Sequence, residues 1–284
     1  MSALATAETA ATWLFAPGDR PERFSKAAAA KADLVVLDLE DAVAPTRKPE
    51  ARRNVVDWLS GHDAPCAVRV NAVGTPWHED DIAALATARP VVVMAPKSEN
   101  TGATTELVRA LPVGTAVVAL IESALGVNRA QDLAEIDGVV RLALGTYDLA
   151  AQLGVDPDHA PALAAARASL VLASAAAGLP GPVDGVTGDV HDTQRLSDDV
   201  TAAAAVGFTG KLCIHPAQVV PAAAALAPTP TEIDWSHRVL AAAAEADAAG
   251  EGVVLVDGRM VDAPVIARAR RITSCASASL RSTP

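Results

Sequence analysis

Eight short apolar runs punctuate the chain up to about residue 214: Trp13–Ala16, Leu34–Leu39, Cys66–Val70, Val91–Ala95, Ala116–Ile121, Arg141–Leu144, Pro182–Val186 and Lys211–Ile214. Each suits one buried strand, and most give way to a polar or glycine turn and then an alanine-rich helical stretch. Strands alternating with helices predict a parallel sheet. Eight of them in 284 residues favour closure into a (β/α)8 TIM barrel, of α/β class, over an open doubly wound sheet. The open sheet also lacks its usual reason: no G-x-G-x-x-G follows any run, and no G-x-x-x-x-G-K-[ST] occurs.

The pattern changes near the C-terminus. Between the sixth and seventh runs, Asp156-Pro157 precedes a helix expected from Pro161 to Ala177, ended by Gly178 and Pro180. Pro228-Thr229-Pro230 then breaks the chain. This assigns residues 1–228 to the barrel and 229–284 to a C-terminal appendage. The appendage reads as a helix from Thr231 to about Gly250, a hairpin of Val253–Val256 and Arg259–Val261 turning at Asp257-Gly258, and a helix from about Pro264 to Ile272.

Composition narrows the function classes. Hydrophobic residues make up 51% and charged residues 20%, the balance of a packed globular protein. Mean hydropathy is +0.26, yet no stretch reaches the roughly 18 uninterrupted apolar residues of a spanning helix. No Lys or Arg precedes Arg20, and Glu8 lies where a signal peptide carries its basic region. A soluble, cytoplasmic protein with no membrane partner is expected. Cys66, Cys213 and Cys275 form no C-x-x-C, which supports neither a disulfide framework nor a zinc ribbon. A formal net charge of −11 argues against a nucleic-acid partner.

In a closed parallel barrel, catalytic groups come from the C-terminal ends of the strands. Charge collects there: Asp19 and Arg20, then Asp38, Glu40 and Asp41, then Arg69 and Asn71, Lys97, Glu122, Asp148, Asp184 with Asp189, and His215. Buried charge is costly unless it is paired or metal-bound, so its recurrence at one end favours a site. Glu122 and Asp148, from neighbouring strands and without a thiolate or imidazole beside them, suit a hard divalent cation, Mg2+ best. Taken singly, Glu122 reads as a solvated helix cap and Asp148 as the N-cap of the turn Leu149–Gly154; as a pair they read as metal ligands. Arg69 could face an oxyanion with its fork of donors, or pair with Glu40 or Asp41, or do both. His191 reads as a loop residue and His215-Pro216 as a rigid turn. Ser123 lacks a nucleophile elbow, and Trp77 with His78 starts a helix.

The segments Leu14-Phe15-Ala16-Pro17-Gly18-Asp19-Arg20-Pro21-Glu22-Arg23, Leu37-Asp38-Leu39-Glu40-Asp41-Ala42-Val43, Arg69-Val70-Asn71, Pro96-Lys97, Ile121-Glu122-Ser123 and Gly145 with Asp148-Leu149 occur in that order. Gly210-Lys211-Leu212-Cys213-Ile214-His215-Pro216-Ala217-Gln218 and Met260-Val261-Asp262-Ala263-Pro264 follow. Together they resemble the citrate lyase β-subunit-like family of the HpcH/HpaI aldolase superfamily, which includes malyl-CoA and citramalyl-CoA lyases. The resemblance implies a homotrimer, or a dimer of trimers, whose appendage contributes to a neighbouring subunit's site. It implies that Glu122 and Asp148 bind Mg2+, that Arg69 stabilises an enolate or keto oxygen, and that Asp262 transfers a proton. Glu40 and Asp41 would orient Arg69, while Arg20 and Lys97 meet anionic groups of the substrate and Glu122 touches it. From its surroundings alone, Asp262 reads as a cap on the helix that follows. Tyr147 departs from the pattern, because many members carry an acidic residue just before the metal aspartate.

The implied activity is Mg2+-dependent cleavage or formation of a β-hydroxyacyl-CoA, with a CoA thioester and a 2-oxo acid as small-molecule partners. Two alternatives stay open at this point: a pyruvate-type class II aldolase, and a citrate lyase β subunit that depends on an acyl carrier protein.

Overall fold

The computed structural model describes residues 2–249 and 254–281. The chain forms two compact units that divide between Leu226 and Ala227.

The first unit is a closed barrel of eight parallel strands in sequence order. They are β1 (Thr12–Pro17), β2 (Leu34–Asp38), β3 (Cys66–Arg69), β4 (Val92–Ala95), β5 (Ala116–Ile121), β6 (Val139–Leu144), β7 (Val183–Asp184) and β8 (Gly210–Cys213). Each of the eight expected runs overlaps one, and the helices between them form the outer layer. β5 matches its run residue for residue. β7 is the exception, two residues where five were expected, because Pro182 has no N–H to give the ladder and glycines stand at 181 and 185.

Side chains alternate across this sheet and fill two buried layers. Leu14, Val35, Leu37, Val68, Val93 and Ile121 face outward and pack with helix residues such as Phe24, Val55 and Leu85. Trp13, Leu34, Val36, Ala67, Met94, Val118, Leu120 and Leu212 fill the barrel. The inward parity of Val36, Ala67 and Leu120 passes two residues on to Asp38, Arg69 and Glu122. This is how an apolar interior hands over to charge at one rim.

The N-terminal ends of the strands are closed differently. A helix not foreseen in the sequence, Ala3–Thr9, lies against β4, β5 and β6, and Ala7 and Ala10 join the interior cluster. Arg141, 1% exposed, reaches the carbonyls of Ala7 at 2.9 Å, Ala10 at 2.6 Å and Gly181 at 2.9 Å, and Thr209 Oγ1 at 2.8 Å. Burial with no carboxylate in contact brings its guanidinium down to about 10.

The second unit contains the helix Pro230–Ala249, an antiparallel hairpin of Val254–Val256 and Arg259–Val261, and the helix Ala263–Arg281. Val239, Val261 and Ala269 form its buried centre. Gly250 and Val253, expected to end the helix and begin the hairpin, lie outside the described residues. Among the described residues no helix is long and apolar enough to cross a membrane.

Candidate active site

Arg69 ends β3 directly opposite Asp38, the last residue of β2. Nε and Nη2 of the guanidinium bind the two oxygens of Asp38, each at 2.7 Å, in a fork. Asp38 is fully buried and also accepts the backbone amides of Glu40 at 2.9 Å and Ala42 at 3.0 Å. Burial works to raise the Asp38 carboxyl, but the Arg69 charge and these hydrogen bonds hold it below its usual value. Burial likewise opposes the Arg69 charge, and Asp38, Glu40 and Asp41 outweigh it, keeping the guanidinium firmly protonated. The principal brace of Arg69 is therefore Asp38, with Glu40 and Asp41 behind it. Asp38 belongs to the strand-end charges but was given no part in the expected site. Strand parity could have found it, since Leu34, Val36 and Asp38 share one face.

Glu40 is buried, with Oε1 3.1 Å from Lys97 Nζ and Oε2 3.2 Å from Arg69 Nη1. The approach to Arg69 lacks hydrogen-bond alignment, so Oε2 has no hydrogen-bond partner among the described residues. Burial raises the Glu40 carboxyl above its usual range. Asp41 is exposed and 3.8 Å from Arg69. Lys97 has a left-handed backbone at φ 49°, and its Nζ also lies 3.6 Å from Asp148. Expected to meet substrate anions, it bridges two of the chain's own carboxylates; burial disfavours its charge, but Glu40, and then Asp41 and Glu122, outweigh this and raise its ammonium above the usual range.

Glu122 follows β5 and is 6% exposed, so it is not the solvated cap that it could have been; Ser123 caps that helix instead. Its Oε1 accepts the Lys97 amide at 2.8 Å. Gly145 makes room for it, since a Cβ at that position would collide with the Glu122 carboxylate. Burial, and then the Glu40 charge, push Glu122 up to about 8. Asp148 stands in the first turn of the helix Thr146–Leu153, whose N-cap is Gly145, and not at the cap itself.

One cavity of about 220 Å³ collects these groups. Asp38, Asp41, Arg69, Glu122 and Asp148 line one part of its wall; Phe15, Leu120, Leu144, Val186, Leu212 and Ile214 give it an apolar remainder. Tyr147 lines it too, with its hydroxyl against Gly188. Arg20 is exposed and outside this lining. Asp184 faces away from the barrel interior and pairs with Lys211 at 2.8 Å and Arg167 at 3.1 Å. His215 caps the turn at Pro216–Gln218. In the second unit Asp262 is exposed and accepts the Val265 amide at 3.2 Å, capping the helix that follows.

The donor set fits a hard cation that keeps open positions. No group of three or more His, Cys, Asp or Glu suited to enclosing a metal exists among the described residues. What is present is two carboxylates on one cavity, Glu122 and Asp148, the first of them buried and strongly raised by that burial and by the Glu40 charge. A cation there would favour the ionised form of Glu122, leaving sites for water or substrate oxygens.

Fold and rim chemistry define a barrel enzyme whose working groups sit at the C-terminal ends of the strands. The chain belongs to the HpcH/HpaI aldolase/citrate lyase family, whose model matches residues 11–216. It is 38% identical to a citrate lyase subunit beta-like protein of Mycobacterium tuberculosis, over 90% of this chain and 92% of that one. It is 36% identical to a (3S)-malyl-CoA thioesterase of Cereibacter sphaeroides, over 93% of this chain and 94% of that one. Among solved structures, the CitE protein of Mycobacterium tuberculosis in complex with magnesium, acetoacetate and coenzyme A superposes with a TM-score of 0.80 at 37% identity, covering 95% of this chain and 99% of that one.

Proposed function

We propose that this chain is a Mg2+-dependent carbon–carbon lyase that cleaves, or in reverse forms, a β-hydroxyacyl-CoA such as malyl-CoA or citramalyl-CoA, with an acyl-CoA and a 2-oxo acid on the other side. The observation that carries this reading is the convergence of Glu122 and Asp148 on one cavity with Arg69 in its wall. The magnesium, acetoacetate and coenzyme A in the CitE complex support it. Glu122 and Asp148 would hold Mg2+, which would supply Lewis-acid polarisation of a bound 2-oxo acid.

The chain's own residues do the rest. In cleavage the hydroxyl proton passes to a base, the carbon–carbon bonding pair moves onto the thioester as an enolate, and the enolate then takes a proton at carbon. Arg69, held flat by Asp38 and so unable to swing away, stabilises the enolate oxygen. Glu40 and Lys97 fix each other beside it. Asp262 is the proton-transfer residue, brought by the second unit to a neighbouring subunit of a homotrimer. Arg20, exposed at the end of β1, is available to the substrate's anionic groups. The protein is assigned to the cytoplasm.

The test supplies malyl-CoA and citramalyl-CoA, with 3-hydroxy-3-methylglutaryl-CoA as a contrast, together with Mg2+. Release of a 2-oxo acid is expected. It should fall by two or more orders of magnitude in Glu122→Ala, the scale of losing one well-aimed charge stabiliser. Activity that survives both this substitution and exhaustive chelation refutes the metal role. The malyl-CoA thioesterase relative supports a second reading, thioester hydrolysis. The same assay separates the two, because hydrolysis liberates free CoA thiol and no 2-oxo acid. Activity only on pyruvate with an aldehyde, or only on an acyl carrier protein thioester, would point to the aldolase or to the complex-dependent subunit.

A further inference from the structure

We infer that Tyr147 is a specificity-determining residue: its ring walls an apolar subsite that takes the alkyl side chain of an aliphatic 2-oxo acid in preference to one that ends in a second carboxylate. This rests on the oxo-acid reading of the cavity. The cavity lining is divided by strand. Of its larger apolar side chains, Phe15 on β1, Tyr147 beyond β6, Val186 beyond β7 and Ile214 beyond β8 are the ones not buried, and Tyr147 and Ile214 are each 41% exposed. β6 pairs with β7, β7 with β8 and β8 with β1, so these four residues form one continuous arc. Asp38 and Asp41 from β2, Arg69 from β3 and Glu122 from β5 take the other side, with Asp148 at the border.

Tyr147 stands in the first turn of the helix Thr146–Leu153, immediately before Asp148. Its ring reaches the loop beyond β7, where a Cβ on Gly188 would collide with the hydroxyl and stand 3.1 Å from Cζ. Because residue 188 has no side chain, the ring can lie there, spanning from the Asp148 helix to the segment that carries Val186. Val186 and Phe15 in turn pack on the apolar filling of the barrel. At the far end of the arc the Arg69 guanidinium lies over the Phe15 ring, its Cζ 4.9 Å from the centroid. The Phe15 end is thus the thioester's side, under the group that meets the enolate. The Tyr147 end adjoins Asp148, on the side where the oxo acid is held.

A 2-oxo acid offers its carboxylate and keto oxygens to the charged side, which leaves its remaining substituent for the apolar arc. Each methylene buried there strengthens binding by about fourfold. A second carboxylate in the same place would lose water against hydrocarbon without gaining a partner. Among the described residues that line the cavity the one cation is Arg69, and its fork is already committed to Asp38. Removing the ring should therefore weaken acids in proportion to their side chain and spare one that has none. A purely structural role for Tyr147 would weaken all of them together.

The experiment titrates glyoxylate, pyruvate, 2-oxobutyrate and oxaloacetate calorimetrically into the full-length wild type, Tyr147→Phe and Tyr147→Ala with excess Mg2+. The wild type is expected to bind 2-oxobutyrate about tenfold or more tighter than glyoxylate, which has no side chain. It should bind oxaloacetate, the same carbon chain ending in a carboxylate, about tenfold weaker than 2-oxobutyrate. Tyr147→Ala should weaken 2-oxobutyrate by about fivefold or more and leave glyoxylate within about twofold, while Tyr147→Phe keeps both within about twofold of wild type. A Tyr147→Ala loss that falls as heavily on glyoxylate as on 2-oxobutyrate overturns the inference. So does a wild type that binds oxaloacetate as tightly as 2-oxobutyrate, a comparison that does not depend on how either variant folds. A wild type that binds none of these acids with Mg2+ present overturns the proposed function, and this inference with it.

Discussion

The fork between Arg69 and Asp38 gives the two neighbouring aspartates very different weights. Asp38 is fully buried and meets both arms of the guanidinium at 2.7 Å, whereas Asp41 is exposed and lies at 3.8 Å. Asp38→Asn keeps the shape but replaces one acceptor oxygen by an NH2 that faces a donor. It is expected to lower kcat/KM by about ten- to a hundredfold, consistent with breaking a buried charged pair. Asp41→Asn should change it by less than about threefold, as for an exposed pair; equal losses in the two variants would remove Asp38 from its bracing role. Glu122 makes a prediction about pH. Its carboxyl stands near 8 in the folded chain against 4.5 ordinarily, so between those values the folded state holds a proton that the unfolded state has released. Its contribution to stability is fully present below about 4.5 and is lost as the pH rises through about 8. Without metal, the wild-type Tm should therefore fall across this range more steeply than that of Glu122→Gln. MgCl2 should raise the wild-type Tm most at the alkaline end, where the bare carboxylate is least tolerated. Parallel Tm profiles for the two proteins would show that Glu122 is not the titrating group. Composition and strand ends made Glu122, Asp148 and Arg69 legible as a cluster. The pairing of Lys97 with Glu40 and the packing of Tyr147 on Gly188 were not legible, because both depend on neighbours far away in sequence.

Between β7, β8 and the helix Ala164–Ala176, the outer face of the barrel carries its own charge cluster. Asp184 and Lys211 are adjacent in the strand register, both at most 2% exposed, and Arg167 reaches Asp184 from the helix. Asp184→Ala leaves the Lys211 ammonium buried without its carboxylate. A cost of about 3–5 kcal/mol follows for breaking such a pair, read as a lower denaturation midpoint in urea with an unchanged slope. A loss below about 1 kcal/mol, the range of an exposed pair, would show that the cluster is solvated in solution. Its place at the end of an apolar run suggests that Asp184 belongs to the catalytic rim, whereas it packs on the outer face. A two-residue strand is too short to display its alternation, and only the inward place of Val183 reveals that the next side chain points outward. Longer strands were read well, because buried parallel strands are continuous apolar runs whatever their helices look like. β6 begins at Val139, two residues before the expected run Arg141–Leu144. The helix Ala3–Thr9 has no apolar periodicity in Ala-Leu-Ala-Thr-Ala-Glu-Thr, so the sequence carried no signal for it.

Taken as a whole, the barrel divides its labour between its two ends. The C-terminal ends of the strands hold charge that burial strains: a Glu122 raised to about 8, and a buried Glu40 whose Oε2 faces Arg69 without a hydrogen bond. The N-terminal ends are sealed, with Arg141 donating to three carbonyls and a hydroxyl that tie the end of the Ala3–Thr9 helix and the residues just before β7 and β8 to β6. If the ends are independent in this way, stability and catalysis should separate on substitution. Arg141→Met retains much of the apolar stem but abandons buried acceptors, which at about 1–3 kcal/mol for each group left unsatisfied implies a loss of at least about 3 kcal/mol. For a unit of this size that corresponds to a fall in Tm of roughly 6–12 °C. At a temperature where the variant stays folded, kcat should remain within about twofold of wild type, since conservation of structure at the bottom of such barrels serves stability and the chemistry belongs to the top. The two quantities are measured on one preparation, Tm by scanning fluorimetry and kcat by 2-oxo acid release. A variant with a wild-type Tm but a diminished kcat would mean that the sealed end communicates with the rim, and that the two ends are not the separate devices their chemistry implies.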